Sequence, residues 1–224
     1  MNDDAEAIDP APEPPIDPAA PAAATAVPVP VRRRPKPGER RVQILQTLAA
    51  MLEQPGAERI TTAALAARLD VSEAALYRHF ASKAQMFEGL IEFIEQTVFT
   101  LINQVVESGP GSTVQVRKML TVLLQFAEKN PGMARVMVGD ALVFEHERLL
   151  TRMNQFFERF ESQLRQALRG AADDAGSATP TVDANAQASV LTAFAVGRLQ
   201  RFARSGFKRS PTEHLDAALR MLAA

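Results

Sequence analysis

An all-α fold of about nine helices is predicted by three features of this 224-residue sequence. From Gly38 onward, apolar residues recur at i, i+3 and i+4, the spacing that lines one face of a helix. Ala, Leu, Glu, Arg and Gln dominate the long segments, while aromatic residues make up 6 % and tryptophan is absent, a balance that favours helix over strand. Capping hydroxyls and Pro-Gly breaks then divide the periodic stretches into separate helices, with no alternating strand pattern and no repeat.

Residues 1–38 hold ten of the fifteen prolines and an Ala-rich run. With so little apolar surface to bury, this segment is expected to stay disordered, ending in the basic arm RRRPKP. The first helix follows, with Val42, Leu45, Leu48, Ala49 and Leu52 as its stripe, to about Gln54, where Pro55-Gly56 stops it. Thr61 suits the N-cap of an eight-residue helix with Leu65, Ala66 and Leu69 inward. Asp70-Val71 is a tight turn, and Ser72 caps a second short helix, SEAALYRH, offering Ala75, Leu76 and Phe80 to the core. Ser82 caps a helix of about 25 residues. The stretch GPGS, which has neither a preceding strand nor the lysine of a phosphate loop, reads as a linker, with Ser112 capping the next helix to Asn130. Pro131-Gly132 ends that helix and MARVMVGD forms a short one. A long helix from about Leu142 to Gly170 carries Leu149, Met153, Phe156, Phe157, Phe160, Leu164 and Leu168 on one side. Residues 171–183 read as a flexible loop before a long helix to about Gly206 and a last one around TEHLDAALRMLA.

Charge is segregated along the chain. Residues 1–31 carry six acids and no base, whereas residues 32–83 carry ten bases against five acids. A basic block of that kind points to a polyanion. No stretch approaches the ~18–20 apolar residues that span a membrane. The acidic amino terminus lacks the features of a secretory signal, and the absence of cysteine fits a reducing cytoplasm. Catalysis has little to work with: three scattered histidines and no converging nucleophile, base and oxyanion donor. His146 has no second ligand at i+4, so a metal is not expected, and His214 reads as a first-turn surface residue. No cofactor is expected.

Two short helices joined by a tight turn fit a helix-turn-helix, whose second helix enters the major groove while the first braces it. Small residues at Ser72, Ala74 and Ala75 permit close approach, and Glu73 in the same first turn is counted among the DNA-facing residues. Tyr77, His79 and Lys83 suit phosphate oxygens, helped by Thr61 and Thr62 at the start of the bracing helix. Arg78 suits either a base edge or a phosphate. The stretch ITTAALAARLDVSEAALYRHFASKAQMF resembles the amino-terminal region of the TetR-like repressor family, with Asp70 where glycine is usual and Ala81 where proline is common. MFEGLIEFIE, EKNPGMARVMVGDALVFE, RMNQFFERFESQLRQALR and RFARSGFKRSPTEHLDA extend the resemblance, over roughly residues 39–222 apart from the loop near 170–183, to the nucleoid occlusion factors of that family.

The resemblance implies a homodimer on palindromic double-stranded DNA sites, cytoplasmic and nucleoid-associated, that antagonises a tubulin-like cell-division GTPase. It also implies a groove for that partner's tail peptide, with Phe93 as anchor, Val122 as floor, and Lys129 and Asn130 at the rim. The alternative at those positions is a buried Phe93 and a Lys129 that complements its helix dipole. Ligand-responsive repressors of the family enclose a small molecule, for which Met119, Phe126, Met133, Met137 and Phe144 are the candidate lining, with ordinary packing the alternative. The expected organisation is a tail (1–38), a helix-turn-helix domain (39–83) and a dimerisation and partner-binding domain (84–224). Leu191, Phe194, Ala195, Leu199 and Phe202 are the expected pairing surface, with Arg198, Arg201 and Arg204 at its rim.

Overall fold

The computed structural model describes residues 38–54, 59–109 and 113–222. The amino-terminal tail with its basic arm, the Pro55-Gly56 stop and the Ser112 cap lie outside the described residues. Nine α-helices run in order among those described: α1 (Glu39–Leu52), α2 (Thr62–Leu69), α3 (Glu73–Tyr77), α4 (Lys83–Glu107), α5 (Thr113–Lys129), α6 (Pro131–Met137), α7 (Glu147–Asp174), α8 (Pro180–Arg204) and α9 (Leu215–Leu222). A 3-10 turn, Asp140–Leu142, joins α6 to the approach to α7.

Local chemistry explains the starts. Thr61, Ser72 and Ser82 each accept a hydrogen bond from the backbone N–H three residues on, at Ala64, Ala75 and Gln85. Each thereby satisfies a donor the helix leaves orphaned. His146 does the same for α7 with its imidazole: Nδ1 accepts from Arg148 N–H at 3.3 Å.

Four boundaries differ from expectation. α1 buries Leu48 and Leu52 and packs Leu45 and Ala49 against the core as expected, but its stripe opens with Ile44, and Val42 is 53 % exposed. α6 begins at Pro131, whose fixed φ suits the first helical position, so Pro131 opens this helix as well as closing α5. α7 starts at Glu147 and runs to Asp174, and α8 starts at Pro180. The loop expected over 171–183 therefore shrinks to 175–179; Ala171 and Ala172 continue the helix, and Asp183 accepts from Ser177 and Thr179 to hold the next start.

One buried cluster runs from Ile44 in α1 to Leu219 in α9, so the amino-terminal helices and the bundle share packing. α7 and α8 form the most extensive helix pair, and α6 docks on α1. Polar contacts tie α4 to α7. Lys83 pairs with Glu145, Arg148 reaches Glu88 at 2.7 Å, and Arg152 makes two hydrogen bonds to Glu95 at 3.0 and 2.6 Å. The Glu95 hydrogen bond, outweighing burial, raises the Arg152 pKa above the ordinary arginine value. Arg159 lies 3.9 Å over the Phe99 ring.

Candidate nucleic-acid interface

α2 and α3 are set by one residue between them. Asp70 adopts the left-handed conformation (φ 53, ψ 53), its N–H donates to Ala67 O, and Val71 N–H reaches back to Ala66 O at 3.0 Å. That closure turns the chain within two residues, a position glycine fills without cost and aspartate at modest cost. Thr62 Oγ1 then donates to the Glu73 carboxylate at 2.6 Å, binding the start of α2 to the first turn of α3. Glu73 is thus occupied within the head, bracing the two helices.

The α-helical part of α3 is shorter than expected. It ends at Tyr77, after which His79 N–H bonds Leu76 O in a tightened turn and Phe80 plunges into the core, 1 % exposed. Arg78 and His79 consequently leave from that turn. Tyr77 (46 % exposed), Arg78 and His79 are exposed, and among the described residues their side chains have no hydrogen-bond or ion-pair partner. Ser72 and Ala74 are exposed and small, while Ala75 is half-buried. Thr61 is exposed and Thr62 half-buried.

Two cations are placed in ways the sequence did not signal. Arg41, in α1, donates to His79 O at 2.9 Å and stacks 4.0 Å over the Phe80 ring, clamping the end of α3 from 38 residues away. Nothing local marks it. Lys83, expected to meet phosphate, is three-quarters buried and ion-paired with Glu145. The loop before α7 supplies that carboxylate, so Lys83 reads as a joint between head and bundle.

A second surface lies on α4 and α5. Phe93 is 45 % exposed, so the buried alternative is excluded, and its ring meets the buried Phe126 at 6.1 Å. Val122 is half-buried beside the core and Lys129 is exposed. Asn130 Nδ2 donates to Phe126 O at 2.7 Å, which engages its amide in closing α5.

Other expectations fare differently. Met119, Phe126, Met133 and Met137 are buried, but Phe144 is 68 % exposed in the turn after Leu142 and lines no interior chamber. Leu191, Ala195, Leu199 and Phe202 are buried within the protomer, since that face of α8 packs on its own bundle. Phe194 is half-buried under the Arg198 guanidinium. The outward face of α8 instead shows Val182, Val190 and Ala193. His214 lies beside Glu213 on the surface. Among the described residues no three metal-type ligands cluster, and no helix is long and apolar enough to cross a membrane.

Comparison with known proteins agrees with this geometry. Residues 44–90 match the model for bacterial regulatory proteins of the tetR family, and residues 111–224 match that for the tetracyclin repressor-like C-terminal domain. Among solved structures, the MbdR regulator from Azoarcus sp. CIB superposes with a TM-score of 0.67 at 17 % identity, covering 81 % of this chain and 96 % of that one. The regulator PfmR from Thermus thermophilus gives 0.66 at 20 %, covering 80 % and 96 %. These likenesses establish the fold. Among curated sequences, nucleoid occlusion factor SlmA of Photobacterium profundum is 50 % identical over 190 residues, 84 % of this chain and 96 % of that protein. Its counterpart in Idiomarina loihiensis is 52 % identical over 178 residues, 80 % and 90 % respectively. Half-identity across nearly the whole of these relatives settles kinship, and the chain belongs to the nucleoid occlusion factor SlmA family, within the tetR-type regulators.

Proposed function

We propose that two copies of this chain pair, lower their α3 helices into the major groove of a palindromic chromosomal site, and there antagonise assembly of a tubulin-like division GTPase over the nucleoid. The observation that carries the DNA half is the trio Tyr77, Arg78 and His79, exposed and unpartnered among the described residues at the end of a short, braced helix. A surface polar trio without partners is what phosphate and base-edge contact requires. Ser72 and Ala74 leave room for the groove wall, and Thr61 and Thr62 sit at the start of the bracing helix. The hydroxyls of Thr61 and Ser72 keep a proton to donate while they cap.

One five-residue helix reads few base pairs, so specificity asks for two heads about 34–36 Å apart or a multiple of that. The outward face of α8, with Val182, Val190 and Ala193, is the surface we assign to pairing, because small and β-branched side chains there let helices approach. Such a dimer works in the cytoplasm, on the nucleoid. For the GTPase, Phe93 is the anchor: a large apolar ring left open over Phe126, with Val122 as floor and Lys129 at the edge, suits an apolar side chain within an acidic tail peptide. DNA binding favours this groove through α4, which starts beside the head and carries Phe93.

Fluorescence anisotropy of a labelled division-GTPase tail peptide, with and without palindromic DNA, tests both halves. Peptide affinity should rise with the DNA present. Phe93→Asp should abolish peptide binding while DNA binding persists, and Tyr77→Ala/His79→Ala should abolish the effect of DNA. Equal peptide affinity with and without DNA removes the coupling. A folded Tyr77→Ala/His79→Ala dimer that grips DNA at moderate salt as tightly as the parent removes the DNA assignment.

A further inference from the structure

The loop after α8 is held at three separate places. Gly206 (φ 63) closes α8 in the left-handed position, with Gly206 N–H donating to Ala203 O and Phe207 N–H to Phe202 O. Phe207 itself holds φ 65, its ring set against Phe202 at 5.2 Å and beneath Arg135 at 5.3 Å. Ser205 Oγ accepts from the backbone N–H of both Lys208 and Arg209, at 3.1 and 2.9 Å. Ser210 and Thr212 both donate to Glu128 at the end of α5, the latter at 2.7 Å. A surface loop with left-handed φ at a phenylalanine and this many anchors is kept in one shape.

That shape leaves an open cleft of about 660 Å³ against the last turns of α8, whose lining includes four cations, Arg198, Arg201, Lys208 and Arg209, together with Glu213 and His214. Among the described residues no carboxylate lies within ion-pair distance of Arg198, Arg201, Lys208 or Arg209. Glu213 turns its carboxylate toward His214 at 3.7 Å, accepts from Arg198 at its backbone carbonyl at 2.7 Å, and reaches the Arg198 charge electrostatically without forming an ion pair. Arg198 also lies over Phe194, and burial together with the neighbouring Arg201 charge pulls its pKa below the ordinary arginine value, against the opposing attraction of Glu213. Arg201 in the last helical turn complements the α8 dipole. Lys208 and Arg209 lie beyond the helix and have no such explanation.

We propose that this cleft binds a small soluble molecule bearing a multiply charged phosphate group, with Arg198, Arg201, Lys208 and Arg209 as its cations. Four cations lining one cleft exceed what its single carboxylate, Glu213, neutralises, and guanidinium forks match phosphate oxygens two at a time. The hollow falls within the ~300–1,000 Å³ of small-molecule sites. The assignment is independent of the DNA and partner readings above.

The test is calorimetric titration of the full chain with inorganic tripolyphosphate, at low and at moderate salt. Saturable binding of one tripolyphosphate per chain, weakening with salt, is expected. Lys208→Gln/Arg209→Gln leaves the Ser205 anchors intact, since those donors are backbone, and should weaken binding about tenfold or more by removing two charge-assisted contacts. Lys118→Gln, which removes an exposed charge elsewhere, should leave affinity unchanged. Palindromic DNA binding of the double variant should match the parent. Absence of binding, equal affinity in the double variant, an equal loss in Lys118→Gln, or a parallel fall in DNA affinity would each overturn the assignment, the last because the cations would then belong to the DNA footprint.

Discussion

Replacing Gly132 by alanine puts a methyl group where α6 meets α1, and the cost can be worked from the geometry. The added Cβ would lie well under 3.0 Å from the Ala49 carbonyl oxygen, 3.0 Å from its carbon and 3.3 Å from Leu52 Cβ. Real Cβ atoms essentially never come under 3.0 Å, and the obstructing atoms here are helix backbone, which no rotamer change moves. The two helices must separate, loosening side chains buried on both, Leu48 and Leu52 on α1 and Met133 and Val136 on α6. Overpacking of this kind belongs at the upper end of its usual range, ~3 kcal/mol. Alanine returns up to ~1 kcal/mol through helix propensity. The net expectation is ~2 kcal/mol of destabilisation, or about 4–8 °C in melting temperature for a unit of this size. Thermal and urea melts at one fixed protomer concentration read it directly, the concentration being fixed because pairing would contribute to the measured stability. A variant as stable as the parent would refute the close approach of α1 and α6, and with it the account of how the head is seated.

Three further outcomes follow from single contacts. Arg41→Ala frees the His79 carbonyl and uncovers Phe80. It should lower affinity for palindromic DNA about tenfold, the scale of one charge-assisted bond, in an anisotropy titration; unchanged affinity would show that the clamp does not position α3. Asp70→Val places a β-branched residue at φ 53 and should cost ~1–2 kcal/mol, read as a lower urea midpoint at unchanged slope. Arg152→Ala breaks the paired bonds to Glu95 and should cost ~1 kcal/mol at low salt, shrinking as salt is added. Because the Arg152 pKa is raised, its contribution is fully present below the unfolded-state value and is lost only as pH rises through the folded one. The difference between variant and parent should therefore stay flat from about pH 6 to 9, far below where arginine titrates. A difference that changes within that window would refute the assignment to Arg152.

Features set by a few neighbouring residues were legible in the sequence. The Thr61, Ser72 and Ser82 caps, the Asp70 turn and the 25-residue length of α4 each depend on a cap, a breaker or a backbone angle within one turn of chain. What was not legible depends on which helix lies opposite. Arg41 looks like any exposed arginine until α1 is laid beside the end of α3. Lys83 looks like a phosphate ligand until Glu145 arrives 62 residues later. The small and apolar residues of α8 permit close packing on either side, and periodicity alone did not distinguish the face meeting α7 from the outward one. Phe144 is apolar yet outward, so its place depends on the turn between Leu142 and His146, which carries no periodic signal.

These non-local contacts gather on one element. α4 begins at the Ser82 cap beside the head, and Lys83, Glu88 and Glu95 along it are each engaged by α7 or the loop before it. Phe93 lies between two of those tethers in sequence but presents its ring elsewhere, toward Phe126 and solvent. In the proposed coupling, a helix of 25 residues tethered at three points would carry a shift at its start along its length, because backbone hydrogen bonds make it stiff and the tethers oppose rolling. If the head alters its pose on DNA, the displacement at Ser82 must either break the Lys83–Glu145 pair or carry through α4 to Phe93. Lys83→Met separates the two routes. With the first tether gone, peptide binding at Phe93 should lose its dependence on DNA while DNA affinity itself holds. A variant whose peptide affinity still rises with DNA by the parental factor would show that the signal bypasses this joint.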